Sequence, residues 1–182
     1  MTRIEPLVLD TMCLSHFALI ERLDVLGELL SGGECWTTAI VKGELGRGVE
    51  DHPLLRNALD LPWLHVAALD ELTEIQLFAK WSRLIGTSER DHGEASVFAV
   101  SELLDGIALT DDQKATKVAR ASGLKVHGTI WLLARLCRDG KITEAGAGNL
   151  IDMLRESGMR LPCTGAQFGS FATKHGLFVR PQ

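Results

Sequence analysis

Short apolar runs alternate along this chain with stretches in which apolar residues recur every three or four positions. Leu7-Val8-Leu9 and Ile107-Ala108-Leu109 are continuous runs of the kind found in strands buried on both faces. Residues 35–40 are rich in β-formers and predict a second strand, residues 63–69 carry a weak strand pattern, and residues 124–127 predict a brief one. Between them, Leu14, Phe17 and Ala18, then Leu23, Leu26, Leu29 and Leu30, predict a helix followed by a turn or short helix, closed by Ser31-Gly32-Gly33. A helix starts in Val41-Lys42-Gly43-Glu44-Leu45, with Gly46 and Gly48 expected to end it early, and residues 51–61 read as a short surface helix closed by Pro62. Leu72, Ile75, Phe78, Ala79 and Trp81 share one face of a helix that Asp70 could cap. Gly86 and Ser88 break the chain, and Asp91-His92-Gly93-Glu94 opens a strongly apolar helix through Leu103. The apolar stripes of residues 14–30 and 72–81 are expected to be core.

Residues 106–133 then give a strand, a helix (Ala115, Val118, Ala119) and a second strand in quick succession. That is the pattern of a parallel crossover unit. Gly123 is placed to stop the helix as a left-handed cap, and after Gly128 the residue Thr129 can cap another helix. Residues 142–157 form a last clear helix ended by Gly158, and residues 167–175 a final short one. The alternation predicts an α/β domain, a three-layer α/β/α sandwich with a mainly parallel central sheet.

At 182 residues the chain is long enough to bury a core without a metal or disulfide staple. Residues 1–160 read as one domain and residues 161–182 as a C-terminal extension packed on it. The cysteines Cys13, Cys35, Cys137 and Cys163 lie far apart, with no CxxC pair, and are expected to be reduced, mostly buried thiols. No apolar run approaches the roughly 18 residues that span a bilayer, and the N-terminus lacks a signal-peptide core, so the expected location is the cytoplasm. Nineteen basic against 24 acidic residues give a net charge of −5. Such a chain does not attract polyanions through its global field. A nucleic-acid partner would need metal ions and a local basic rim.

The acidic residues are where the chemistry is expected. Asp10 ends the first strand, Glu44 sits at a helix start, Asp91 and Glu94 open another helix, and Asp111 and Asp112 join a strand to its helix. The carboxyl ends of parallel strands share one edge, so Asp10 and Asp112 should approach each other, and Asp91 and Glu94 should share a helix face. Oxygen donors of this kind suit hard divalent cations such as Mg²⁺ or Mn²⁺. Without a cation, clustered carboxylates repel and some take up protons. Each residue also has a plainer reading, as a strand terminator, a helix cap or a solvated helix residue. The Thr-x-Asp spacing favours Asp112 as the inward ligand and Asp111 as the cap.

The order of these motifs is similar to that of PIN domains. Leu7-Val8-Leu9-Asp10 with Leu26-Gly27-Glu28-Leu29-Leu30 looks like the first block of that family, and residues 37–45 like its second. Gly93-Glu94-Ala95-Ser96-Val97 and Leu109-Thr110-Asp111-Asp112, followed by Gly123 and Gly128-Thr129, complete the pattern. The similarity covers roughly residues 4–160 and is greatest to the longer prokaryotic branch related to VapC-type toxins. It implies a metal-dependent nuclease acting on RNA, with Asp10, Glu44, Glu94 and Asp112 as catalytic metal ligands and Asp91 as a further one. It also makes a toxin role, a small antitoxin partner and a homodimer expectations to test. The family's arginine after the double aspartate is replaced here by Ala115-Thr116, flanked by Lys114 and Lys117, and a usual glycine by Trp131.

The expected mechanism is two-metal, or metal-plus-water, phosphodiester hydrolysis with Asp10, Glu94 and Asp112 holding one Mg²⁺ or Mn²⁺ and a second held more weakly through Glu44 or the substrate. Thr11, Thr110 and Asp111 would support these ligands, and Lys42, Lys114 and Arg90 are candidates for phosphate contact. Zinc chemistry lacks a set of four ligands at a structural spacing around Cys13, His16, His92 or His127. A Rossmann nucleotide site lacks its GxGxxG, and an aspartyl-phosphate mechanism would want an aspartate where Met12 stands. The remaining alternative is a non-catalytic PIN-fold module that binds RNA or a protein.

Overall fold

The two continuous apolar runs become adjacent central strands, β1 (Leu7–Leu9) and β4 (Ile107–Leu109), buried at every position. The computed structural model describes residues 5–86 and 88–179, Arg90 by its backbone alone. These residues divide into two compact units, one ending at His127 and the other beginning at Gly128.

Within the first unit, five strands form an all-parallel sheet in the order β3-β2-β1-β4-β5, with β2 spanning Cys35–Thr38, β3 His65–Ala67 and β5 Val126–His127. Leu7 pairs with Cys35 on one side and Ile107 on the other, so β1 is hydrogen-bonded along both edges. The fold is the expected α/β class. β3 is an edge strand, and Val66 there is exposed.

The connections are α1 (Thr11–Leu19), α2 (Leu23–Leu30), α3 (Ala39–Gly48), α4 (Leu72–Ile85), α5 (His92–Leu104) and α6 (Gln113–Ala121). Crossovers in a parallel sheet are right-handed. The chain moves outward from β1 to β2 and β3, then returns across to β4 and β5. That reversal puts α1–α3 on one face and α4–α6 on the other. Their packing agrees: α1 packs on α2 and α3, and α4 on α5 and α6, while α5 lies against β1, β2 and β4. The direction of winding switches between β1 and β4, where an open α/β sheet leaves a crevice beyond its carboxyl ends.

Several boundaries differ from the sequence reading, each for a local reason. The stretch 14–30 is not among them: it is the expected helix followed by a short helix, separated where Ile20 caps the first and Glu21 takes a positive φ of 54°. α3 passes through Gly46 and ends at Gly48, so the second of the two expected glycines closes it and the first does not; Thr38 caps its start, and Val41 and Leu45 are buried. Residues 53–58 form a 3-10 turn rather than an α-helix. α4 is capped by Glu71 and not Asp70, through a reciprocal capping box with Glu74. It also continues to Ile85, and its stripe is only partly core: Leu72 is 70% and Ile75 47% exposed, whereas Trp81 is buried against Phe98.

The second unit holds α7 (Thr129–Arg138), α8 (Glu144–Glu156), a 3-10 turn (Gly165–Gln167) and α9 (Phe168–Lys174). Gly128, not Thr129, is the N-cap of α7. Thr143 caps α8 through Gly146 N–H, so that helix begins two residues later than its apolar pattern suggests. Among the described residues no helix is long and apolar enough to cross a membrane.

Candidate metal centre at the carboxyl edge of the sheet

β1 and β4 deliver the first carboxylates. The Asp10 N–H donates to Leu109 O at 3.2 Å, which carries the β1–β4 pairing to the switch point. The Asp10 carboxylate accepts the Cys13 N–H at 2.8 Å as the N-cap of α1 and also accepts the Thr110 hydroxyl. It is 3% exposed. Burial pushes its pKa up to about 8, the two hydrogen bonds oppose the shift, and the charges of Asp111 and Glu94 add to it.

Thr110 also accepts the Asp112 N–H at 3.2 Å, so one buried hydroxyl ties the ends of β1 and β4 together. The roles expected of the two aspartates are exchanged in part. Asp112, not Asp111, is the N-cap of α6, accepting the Ala115 N–H at 2.7 Å. Asp111 is the one whose charge acts on Asp10. A Thr-x-Asp motif closes on its own backbone, and the residue that ends the strand turn is then the one poised to cap. Asp112 nevertheless faces inward electrostatically, since its charge acts on Glu94.

Glu94, in the first turn of α5, joins the groups. Its pKa is raised to about 7, first by burial and then by Asp112, Glu44 and Asp91, while its own backbone N–H opposes the shift. Glu44 comes from α3, where it accepts a hydrogen bond from the Thr11 hydroxyl. It lies directly on Gly93: a Cβ there would stand 2.6 Å from Glu44 Oε2. Asp91 accepts the Ser88 hydroxyl at 2.6 Å and packs on Gly86, so its hydrogen bonding turns toward the preceding loop although its charge reaches Glu94.

A buried chain of hydrogen bonds fixes this meeting of α3 and α5. Ser96 Oγ donates to Gly93 O at 2.7 Å, so the Thr38 hydroxyl, 2.7 Å away, is the donor to Ser96. Thr38 in turn accepts the Val41 N–H at 3.1 Å as the cap of α3. Thr38 and Ser96 are fully buried. Nothing in the apolar pattern singles these two hydroxyls out. The one available signal is that Thr38 immediately precedes the helix start it caps.

A groove of about 470 Å³ opens beside the cluster, lined by Thr11, Met12, Ser15, His16, Glu44, Arg47, Glu89 and Glu94. Burial lowers the His16 pKa. A second groove of about 520 Å³ shares Glu44, Arg47 and Glu89 and adds Ala39, Ile40, Gly43, Phe78 and His92. Arg47 went unrecognised in the sequence, although it lies three residues after Glu44 and so on the same helix face. Lys42 and Lys114 line neither groove among the described residues. The Arg90 side chain lies outside the described residues.

Among the described residues no three His, Cys, Asp or Glu side chains are gathered closely enough to hold a metal ion as they stand. The donor chemistry still fits a hard divalent cation. Asp10, Glu44, Glu94 and Asp112 are all oxygen donors, and among the described residues none of them forms a salt bridge. Two carboxyls driven toward neutrality by burial and by each other are what such a set becomes when no positive charge balances it.

No curated protein matches the sequence. A family model described as PIN domain matches residues 6–166, a span that contains β1 through β5 and every carboxylate named above. The chain belongs to the PIN-domain family.

Proposed function

We propose that this protein is a metal-dependent ribonuclease that hydrolyses RNA phosphodiester bonds beside Asp10, Glu94 and Asp112, with Glu44 as a further ligand. The observation that carries the reading is the electrostatic convergence on Glu94, whose carboxyl feels Asp112, Glu44 and Asp91 and itself acts on Asp10. Membership of the PIN-domain family supports it. Bound Mg²⁺ or Mn²⁺ would supply a Lewis acid that acidifies a water and offsets phosphate charge. The chain's own residues hold the carboxylates for it. The Thr110 hydroxyl and the Cys13 N–H fix Asp10, the Ala115 N–H fixes one oxygen of Asp112, and the Thr11 hydroxyl fixes Glu44. Glu94 titrates near neutrality, so it can release its proton to take a cation at little cost.

The VapC-type branch, a toxin role with a small antitoxin, a homodimer and a cytoplasmic location belong to the same proposal. In that setting expression would halt growth, and a co-expressed partner would relieve it. A second reading, a PIN-fold module that binds RNA or protein without cutting, is favoured by the absence of a ready three-ligand cage among the described residues.

Cleavage of a mixed RNA pool in Mg²⁺ or Mn²⁺ separates the two. The native protein should cut, and Asp112→Asn should lose on the order of 10²-fold or more in rate. Asparagine caps a helix about as well as aspartate, so α6 survives that substitution. Undiminished cutting by Asp112→Asn would remove the metal-centre mechanism. RNA retention with no cutting by the native chain would establish the binding module.

A further inference from the structure

We propose that Thr37 and Thr38, the last two residues of β2, are positioning residues for the metal centre, holding the peptide that precedes Asp10 and the peptide that precedes Glu94. Neither threonine supplies a carboxylate. The proposal rests on the metal-centre reading above and deepens it, naming what sets two ligands from different elements in place.

Successive residues of a strand point to opposite faces, so the two hydroxyls can serve different neighbours. The Thr37 hydroxyl donates to Leu9 O at 2.9 Å. The paired residues of β1 and β2 run to Val8 and Trp36, and this side chain carries the pairing one residue further. Leu9 O belongs to the peptide that supplies the Asp10 N–H, which donates to Leu109 O at 3.2 Å. The backbone entering Asp10 is thus fixed from β2 on one side and from β4 on the other. The Thr38 hydroxyl reaches the second ligand through Ser96, which donates to Gly93 O at 2.7 Å. Gly93 O belongs to the peptide that supplies the Glu94 N–H, and that N–H acts on the Glu94 carboxyl itself. In both cases a hydroxyl holds the carbonyl immediately before a ligand.

Burial makes these bonds count. Thr37, Thr38 and Ser96 are fully buried, so solvent does not replace a lost partner. Thr38 accepts the Val41 N–H and gives its hydrogen to Ser96, which gives its own to Gly93 O. Each donor has one destination, so the chain runs in one direction, and bonds aligned in this way strengthen one another. Packing alone does not call for hydroxyls here. Valine has nearly the shape of threonine and an equal liking for strands, and a buried hydroxyl costs free energy unless it is paired. What the three hydroxyls hold is the backbone beside Asp10 and Glu94. Groups that orient metal ligands in this indirect way typically change affinity by 10–100-fold when removed.

The test is Mn²⁺ titration by calorimetry near pH 7, with thermal unfolding in a chelating buffer run on every variant. Thr37→Val and Thr38→Val keep the shape and lose the hydroxyl, and each should weaken Mn²⁺ binding roughly ten- to hundredfold. Thr37→Ser and Thr38→Ser keep the hydroxyl and should bind as the native chain does. Thr38 also caps α3, so Ser96→Ala, which leaves that cap in place, should reproduce the Thr38→Val loss. Thr38→Val combined with Ser96→Ala should bind no more weakly than either alone, because the two act in one chain. Thr143→Ala removes the cap of α8 in the other unit, and should lower the melting temperature without changing Mn²⁺ affinity. Native affinity in Ser96→Ala and in whichever valine variants fold, or equal losses in the valine and serine variants, would overturn the positioning role and leave the metal centre standing. No Mn²⁺ binding by the native chain would overturn both.

Discussion

Asp10 shows how much a single residue carries here. One carboxyl ends β1, caps α1, accepts Thr110 and faces the charges of Glu94 and Asp111. An aspartate with an ordinary pKa of 3.8 is pushed up to about 8, and Glu94 from 4.5 to about 7. In the metal-free protein the folded state therefore keeps protons that the unfolded chain has already released. Where the native state binds more protons than the unfolded one, stability falls as pH rises. The loss starts near the unfolded values, about 4, and is complete above about 8. For Asp10 alone it amounts to a few kcal/mol on the order of magnitude of such a shift. Melting temperature in a chelating buffer should fall steadily from pH 5 to pH 8, whereas Asp10→Asn, which has no charge to bury, should flatten the curve. A melting temperature that rises across this range would contradict the buried, uncompensated carboxyls. The sequence placed these acids and implied that some would take up protons, but not that Asp10 and Glu94 are the ones, because burial and mutual charge exist only after distant segments meet. For the same reason it assigned the cap to Asp111 where Asp112 holds it: which of two neighbouring carboxylates caps a helix depends on a turn of one residue.

At the scale of elements, α3 and α5 must approach until Glu44 rests on the backbone of Gly93. The Thr38–Ser96 hydrogen bonds set that approach from one side. Glycine at position 93 leaves the space that Glu44 occupies, since a Cβ would stand within 2.6–3.0 Å of all three Glu44 carboxylate atoms. Gly93→Ala should therefore push Glu44 out of place. The carboxylate is the far end of a flexible side chain and can yield, so the substitution should cost little stability and act through the position of Glu44. A displacement near 1 Å in a catalytic group costs on the order of 10²-fold in rate. Kinetics and thermal unfolding of the same variant check both, and an alanine protein with native rate would show that Glu44 takes no part. Strands and helices with continuous or strictly periodic patterns, such as β1, β4 and α5, were legible in the sequence. Caps and ends were less so. Asp70 and Thr129 are reasonable caps by residue type, but Glu71 and Gly128 hold those positions because the neighbouring turns set the backbone there. Leu72 and Ile75 fit a core stripe by spacing alone, yet α4 buries only the part of that face that meets α5.

For the whole molecule, the strand order decides where chemistry can occur. With β1 and β4 adjacent and the winding reversed between them, the acids that end those strands must share one crevice. The approach of Asp10 to Asp112 was expected from the alternation of elements, and the fold class and family could be read from the chain, whereas the strand order itself could not. The grooves flanking Arg47 could not, since they are made by α1, α3, α4 and α5 together and no stretch of sequence contains their shape. The central claim is that the carboxylates of this crevice take one divalent cation between them, and Mn²⁺ titration by calorimetry in two buffers of different ionisation enthalpy tests it most directly. Native protein near pH 7 should bind Mn²⁺ and release protons as Glu94 and Asp10 ionise, and Glu94→Gln should weaken binding at least tenfold, about 1.4 kcal/mol. Equal Mn²⁺ affinity in the native and Glu94→Gln proteins, or no binding by the native chain, would contradict it.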